Sequence, residues 1–240
     1  MSGPAVTLVT YHYVRPLAGS RFPALKALDL KAFEAQLDYL ERHYQFVAMD
    51  SVIALFNGEP VDLPPNPVLL TFDDGYADHF RFVFPRLVDR GIPGAFFPAA
   101  VTAIDREILD SNRIHFVLAA IGKPDPLIEM IEAAVEAGRH SHQLRTVEQY
   151  RSELMTKSRF DEPRTAYAKR MLQFALPDDL RREIADAAFR QFVSADVSSF
   201  AEELYMNAAE LRMMRANGMH IGLHGDRHVW LGRLSREAQV

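Results

Sequence analysis

Val68-Leu69-Leu70-Thr71-Phe72-Asp73-Asp74-Gly75-Tyr76 is the stretch whose reading decides the architecture. Its first five residues are apolar or β-branched and follow the breaker Pro64-Pro65-Asn66-Pro67, which predicts a buried strand. The strand runs straight into two carboxylates and a glycine. Successive strand residues point to opposite sides, so both aspartates serve one site only if the chain bends there, and Gly75 allows a bend.

Working outward, Ala5 to Thr10 reads as another buried strand. After a Pro/Gly loop, Asp29 is placed to cap a helix on which Phe33, Leu37, Leu40 and Tyr44 recur at helical spacing. Gln45 to Met49 reads as a short strand and Ser51 to Phe56 as a small helix. Beyond the central stretch, a helix is expected from about Asp78 to Arg90, stopped by Gly91, and then a strand at Ala95-Phe96-Phe97. Strands alternating with helices define an α/β fold with parallel strands.

From about Ile104 to Leu204 the pattern changes to helix throughout. Ile128, Ile131 and Val135, and later Leu180, Ile184, Ala187 and Ala188, hold an apolar face at 3.6-residue spacing. The division expected is 1–103 as the first part of an α/β body, 104–205 as a helical insertion, and 206–240 as the continuation of the body. In that last part Asn207 caps a helix with Glu210 as its capping-box partner, and Leu211 and Met214 face inward. Asn217-Gly218 ends the helix, and Met219 to Leu223 forms a strand leading to His224-Gly225-Asp226-Arg227-His228. Trp230 and Leu231 are expected to anchor the segment in the core.

Hydrophobic residues make up 48% of the 240 and charged residues 25%, enough to bury a large core and to exclude disorder over most of the length. The net charge of −5 comes without a basic stripe, which argues against nucleic acid as a ligand. With no cysteine, disulfides and thiol nucleophiles are excluded, and any metal must be held by His, Asp or Glu. No apolar run approaches the roughly 18 residues of a membrane span, and no basic, apolar leader opens the chain, so a cytoplasmic protein is expected.

Two groups of residues carry chemistry. Adjacent carboxylates ending an apolar strand repel as they lose water, and a cation relieves that repulsion; an Asp-Gly turn with solvated carboxylates is the plainer alternative. In His224-x-x-x-His228 two imidazoles four apart can share a divalent metal, or simply be a pair of surface histidines. His12, at the end of the first strand, is either an acid or ligand, or a packed, hydrogen-bonded histidine. A haloacid-type phosphatase fails on spacing, since it needs two carboxylates separated by one residue.

Taken together, Phe72-Asp73-Asp74-Gly75-Tyr76 and His224-x-x-x-His228 resemble the first two signature motifs of the polysaccharide deacetylases, carbohydrate esterase family 4 with its NodB homology domain. Tyr11-His12-Tyr13-Val14, Gly91-Ile92-Pro93-Gly94-Ala95-Phe96-Phe97-Pro98 and Gly218-Met219-His220-Ile221-Gly222-Leu223-His224 are similar to further parts of that pattern, so the resemblance covers about 5–103 and 206–240. It implies a distorted, incomplete (β/α) barrel, TIM-like in plan, with a divalent metal, commonly zinc. Asp74, His224 and His228 would be the metal ligands and Asp73 the general base towards the attacking water. The implied reaction removes an N-acyl group, acetyl or formyl, from an amino sugar, on an intracellular precursor for a surface polysaccharide. The alternative is a non-catalytic saccharide-binding or scaffolding protein that keeps the metal site.

The chain departs from the family in two places. Gly225 stands where the family has Ser or Thr, so another group must brace the histidine loop. The later motifs, which supply an oxyanion-hole residue and an acid histidine, do not follow His228. An open sheet edge after the strand leading to His224 is therefore expected, covered by a homo-oligomeric partner, by the helical insertion or by a longer polypeptide. His12 is the first candidate for the missing acid.

Overall fold

A computed structural model describes residues 5–239. In chain order the elements are β1 (Thr7–Tyr11), β2 (Val14–Arg15), β3 (Leu28–Asp29), α1 (Leu30–His43), β4 (Gln45–Phe46), α2 (Met49–Phe56), β5 (Pro67–Asp73), a π-helical turn at His79–Val83, α3 (Phe84–Arg90), β6 (Gly94–Phe97) and α4 (Ala100–Ile104). There follow α5 (Asp110–Ile121), α6 (Asp125–Gly138), α7 (Val147–Leu154), α8 (Pro163–Arg170), a second π-helical turn at Met171–Ala175, α9 (Asp178–Phe192), α10 (Val197–Leu204), α11 (Ala208–Ala216) and β7 (His220–Ile221).

The chain divides into two compact units. One holds the described residues up to Leu17, Ala27–Glu107 and those from Ser198 on; the other holds Ala18–Lys26 and Ile108–Val197.

In the first unit the strands form a parallel sheet in the order β1-β5-β6-β7. β1 lies along one edge of β5, and the other edge takes β4 at Pro67 and Val68 and β6 from Leu70 on. The central strand alternates as its sequence requires. Val68, Leu70 and Phe72 join Phe33, Leu37, Val83, Leu87 and Phe96 in one apolar layer, while Leu69 packs with Val47, Val52 and Ala95 on the other face. This is the expected α/β architecture with a parallel sheet, and among the described residues the sheet is open, with β1 and β7 outermost.

Two expectations are corrected and one is refined. β1 is not a strand buried throughout: it is an outer strand, and Leu8 is 56% exposed while only Tyr11 is fully covered. The helix read from Asp78 to Arg90 is present and ends at Gly91 as expected, but His79–Val83 within it are wound as the π-helical turn. Pro85 lacks an N–H and cannot bond back to residue 81, so the regular ladder starts only at Phe84. Trp230 and Leu231 do not enter the core; they are 56% and 57% exposed, because the chain leaves His228 as a loop and a 3₁₀ turn at Leu231–Arg233 rather than along a further strand.

The second unit has no strand among its described residues. α6 buries Leu127, Ile128, Ile131 and Val135, and α9 buries Leu180, Ile184, Ala185, Ala188 and Phe189. Ala187, expected on that face, is exposed, since the buried stripe follows 184, 185 and 188 instead. α5 packs along α9. Several arginines of this unit are engaged in surface pairs, among them Arg151 with both oxygens of Glu132 at 2.6 Å and Arg145 with Glu153. No helix of the described residues is long and apolar enough to cross a membrane.

Candidate metal centre

Asp73 ends β5 on the face shared with Leu69 and Thr71, and the chain then breaks out of the strand at once. Asp74 has φ 69° and Gly75 φ 75°, so two successive residues are left-handed. The bend expected at Gly75 therefore begins one residue earlier, in Asp74 itself, where an L-residue carries a conformational cost. The turn is held from outside: Met206 N–H donates to the Gly75 carbonyl at 2.9 Å, and Tyr76 and Tyr205 form an antiparallel bridge. Arg106 in turn clamps that segment by donating to the carbonyls of Glu202, Tyr205 and Met206.

The histidine loop is braced by backbone. Gly222 N–H donates to Phe96 O and His224 N–H to Pro98 O, both at 2.9 Å, which extends the β6–β7 pairing. The carbonyls of Gly225 and Asp226 then accept from Ala100 and Val101 N–H, the otherwise unpaired amides at the start of α4. This supplies the brace that Gly225 lacks as a side chain. Gly225 has φ 73° and His228 φ 55°, so a second left-handed residue sits at the centre.

These two turns bring Asp74, His224 and His228 together. Asp74 Oδ1 lies 3.8 Å from His224 Nε2 and 3.5 Å from His228 Nε2, and the three donor atoms all lie within 4.8 Å of one another. Ligands about 2.1 Å from a tetrahedral zinc ion stand about 3.4 Å apart, so these separations fit such an ion. Asp74 is buried, and no hydrogen-bond donor reaches Oδ1 among the described residues. A buried carboxylate oxygen left without a donor is costly unless a cation faces it. The donor set therefore fits a divalent metal by its own geometry.

Burial raises the Asp73 carboxyl above its ordinary range, with His224 and His12 opposing and Asp74 adding to the rise. Asp73 thus shares the electrostatic space of the cluster without belonging to the donor set. His12 is exposed and outside the set, and its carbonyl accepts from His79 Nε2 at 2.7 Å. His228 is lowered mainly by burial, which keeps its imidazole neutral and able to coordinate.

Two residues were not singled out from the sequence. Tyr76 donates its hydroxyl to Asp74 Oδ2 at 2.5 Å, and His79, in the π-helical turn, holds the backbone of His12. The only sequence signal for either was position: an aromatic hydroxyl two residues, and an imidazole five residues, after Asp74.

His79 and its neighbour Asp78 make a testable pair. Burial lowers His79 to about 4 from 6.5, so between those values the unfolded chain binds more protons and this contribution is lost as pH falls. Asp78 is pushed up to about 6 from 3.8 by burial, against Arg15, whose Nε and Nη2 contact it at 3.1 and 3.3 Å. Its contribution has the opposite sign: present below 3.8 and lost as pH rises through about 6. Between pH 4 and 6 the two slopes, about 1.4 kcal/mol per pH unit each, should nearly cancel. Denaturant unfolding at several pH values should show stability falling with pH in His79→Gln and rising in Asp78→Asn. Variant curves parallel to the wild type would refute this.

Known proteins resemble parts of this chain. Residues 61–174 match the family model described as polysaccharide deacetylase. That match is to the family whose NodB-type motifs the sequence resembles. The match includes Asp73 and Asp74 and ends before the histidine loop.

Among solved structures, the chain is similar to a de-N-acetylase from Aggregatibacter actinomycetemcomitans (26% identity, 40% of this chain and 38% of that one, TM-score 0.35). It is also similar to IcaB from Ammonifex degensii (34% identity, 42% and 43%, TM-score 0.34) and to the Streptococcus pyogenes deacetylase PplD, solved with acetate (13% identity, 98% and 62%, TM-score 0.48). The aligned part spans 38–62% of the length of these structures. No curated protein sequence matches the chain.

Proposed function

We propose that this protein is a metal-dependent hydrolase that removes an N-acetyl group from an amino sugar within a saccharide. The observation that carries the reading is the convergence of Asp74, His224 and His228 on one point, with Asp73 beside them but outside the donor set. An Asp-His-His set leaves positions for water and a substrate oxygen, and the residues suit zinc. When bound, the metal supplies Lewis acidity and lowers the pKa of water from about 15.7 towards about 7.

Asp73 takes the proton from the attacking water as its oxygen bonds to the acyl carbon. The carbon–nitrogen bond then breaks, the departing amine gains a proton, and acetate and the free amino sugar are released. His12 is the remaining imidazole whose charge acts on Asp73, and we assign it the delivery of that proton.

The test is acetate release from N-acetylglucosamine oligomers. Activity is expected with zinc, lost after chelation, and restored by added zinc. Failure of the zinc-loaded protein to release acetate from N-acetylated saccharides, while still binding them by calorimetry, would instead establish the non-catalytic binding reading.

A further inference from the structure

We propose that Tyr76 is a positioning residue for Asp74: its hydroxyl occupies one carboxylate oxygen and so presents the other, alone, to the cation. The inference rests on the metal-dependent reading above and concerns how the ligand set is tuned.

The donor is held rigidly. Tyr76 is fully buried, with Tyr13 stacked on it at 4.1 Å and an interplanar angle of 25°. Tyr205 stacks at 6.1 Å and 13°, and the His79 ring meets the Tyr76 ring edge-on at 5.5 Å. Its backbone is pinned by the bridge to Tyr205 and the Met206–Gly75 hydrogen bond. The hydroxyl therefore has little freedom to leave Asp74 Oδ2 at 2.5 Å.

The two oxygens of one carboxylate thus have different fates. Oδ2 is taken by a fixed donor, while Oδ1, buried and without one, faces His224 and His228. A carboxylate with both oxygens open can swing or grip a large cation with both, as calcium sites do. With Oδ2 occupied, Asp74 offers one oxygen in one direction, which suits a small ion of tetrahedral preference. Groups that orient ligands in this way commonly contribute a factor of about 10–100 in metal affinity.

Tyr76→Phe keeps the ring and its stacking and removes only the donor. Competition titration is expected to show zinc bound about 10–100-fold more weakly, with the selectivity for zinc over calcium reduced. The visible spectrum of the cobalt-substituted variant should also differ from wild type, a readout that loss of packing alone does not move. Equal zinc affinity and identical cobalt spectra would overturn the proposal.

X-ray absorption on zinc-loaded wild type adds a test that needs no variant: one carboxylate oxygen in the first shell supports the proposal, and two oxygens from one carboxylate overturn it. If wild type and Asp74→Asn both fail to hold zinc, the metal reading itself falls, and this inference with it. Zinc held by wild type, lost in Asp74→Asn and unaffected in Tyr76→Phe would defeat the positioning role alone.

Discussion

Asp73→Asn is expected to lower turnover by about 10²–10⁴ while leaving zinc content near that of wild type. The factor corresponds to about 3–5 kcal/mol of transition-state stabilisation. Position separates the two carboxylates. Asp73 is still a strand residue, paired opposite Phe97, and its side chain leaves β5 on the face of Leu69 and Thr71. Asp74 is already in the left-handed turn, buried, with Oδ1 directed at both imidazoles.

A neutral amide at Asp73 removes the group that can accept a proton and leaves the donor set of three untouched. A neutral amide at Asp74 removes the only anionic ligand, and zinc affinity should fall at least about 100-fold, with activity partly restored by excess zinc. Metal analysis beside acetate release separates the two. Equal loss of metal in both variants would show that the adjacent carboxylates share one role. A full-activity Asp73→Asn protein would remove the general base from the mechanism.

The parts legible in sequence were those in which local chemistry and tertiary context agree. The Asp29 cap and the Asn207–Glu210 capping box form as their residues dictate because each is satisfied by partners within a few positions, and the run Val68 to Phe72 forms as its apolar residues dictate, buried between β1 and β6. Hydrophobicity alone misled where burial depends on a neighbour. Leu8 and Trp230 look like core residues, but they lie on an outer strand and a loop, where each stays 56% exposed.

The donor residues could be named from two motifs, but their meeting at one ion was expected only through the family resemblance, since the geometry depends on β5 and β7 being separated by β6 alone in the sheet. The backbone brace at Ala100 and Val101 was illegible for a physical reason: amides carry no sequence signature. Tyr76 stood within the motif itself, yet its role depends on a fold-determined stack with Tyr13 and Tyr205, which lie far apart along the chain.

Gly75→Ala should be the most damaging small substitution in the centre. At φ 75° an alanine carries the left-handed cost of about 1–2 kcal/mol. Its Cβ would also stand 2.6 Å from Pro98 Cβ and 3.0 Å from Pro98 Cα. That neighbour is backbone and ring, not the free end of a flexible side chain, so relief requires moving the chain, at about 1–3 kcal/mol more. The sum, about 3 kcal/mol, corresponds to a fall in Tm of roughly 6–12 °C for a chain of this size.

Movement would also travel into the centre, because the Pro98 carbonyl accepts from His224 N–H. Displacing Pro98 therefore shifts a metal ligand on one side of the site while strain at Gly75 shifts Asp74 on the other. Gly225→Ala provides the control. It has nearly the same φ, 73°, but no heavy atom stands within 4 Å of the added Cβ, so only the conformational cost of about 1–2 kcal/mol applies. Calorimetric melting of both variants, with zinc titrations, should show Gly75→Ala less stable and weaker in zinc binding, and Gly225→Ala mildly destabilised with its zinc retained. Equal effects in the two would mean that the contact with Pro98 is not what holds Asp74 and His224 in register.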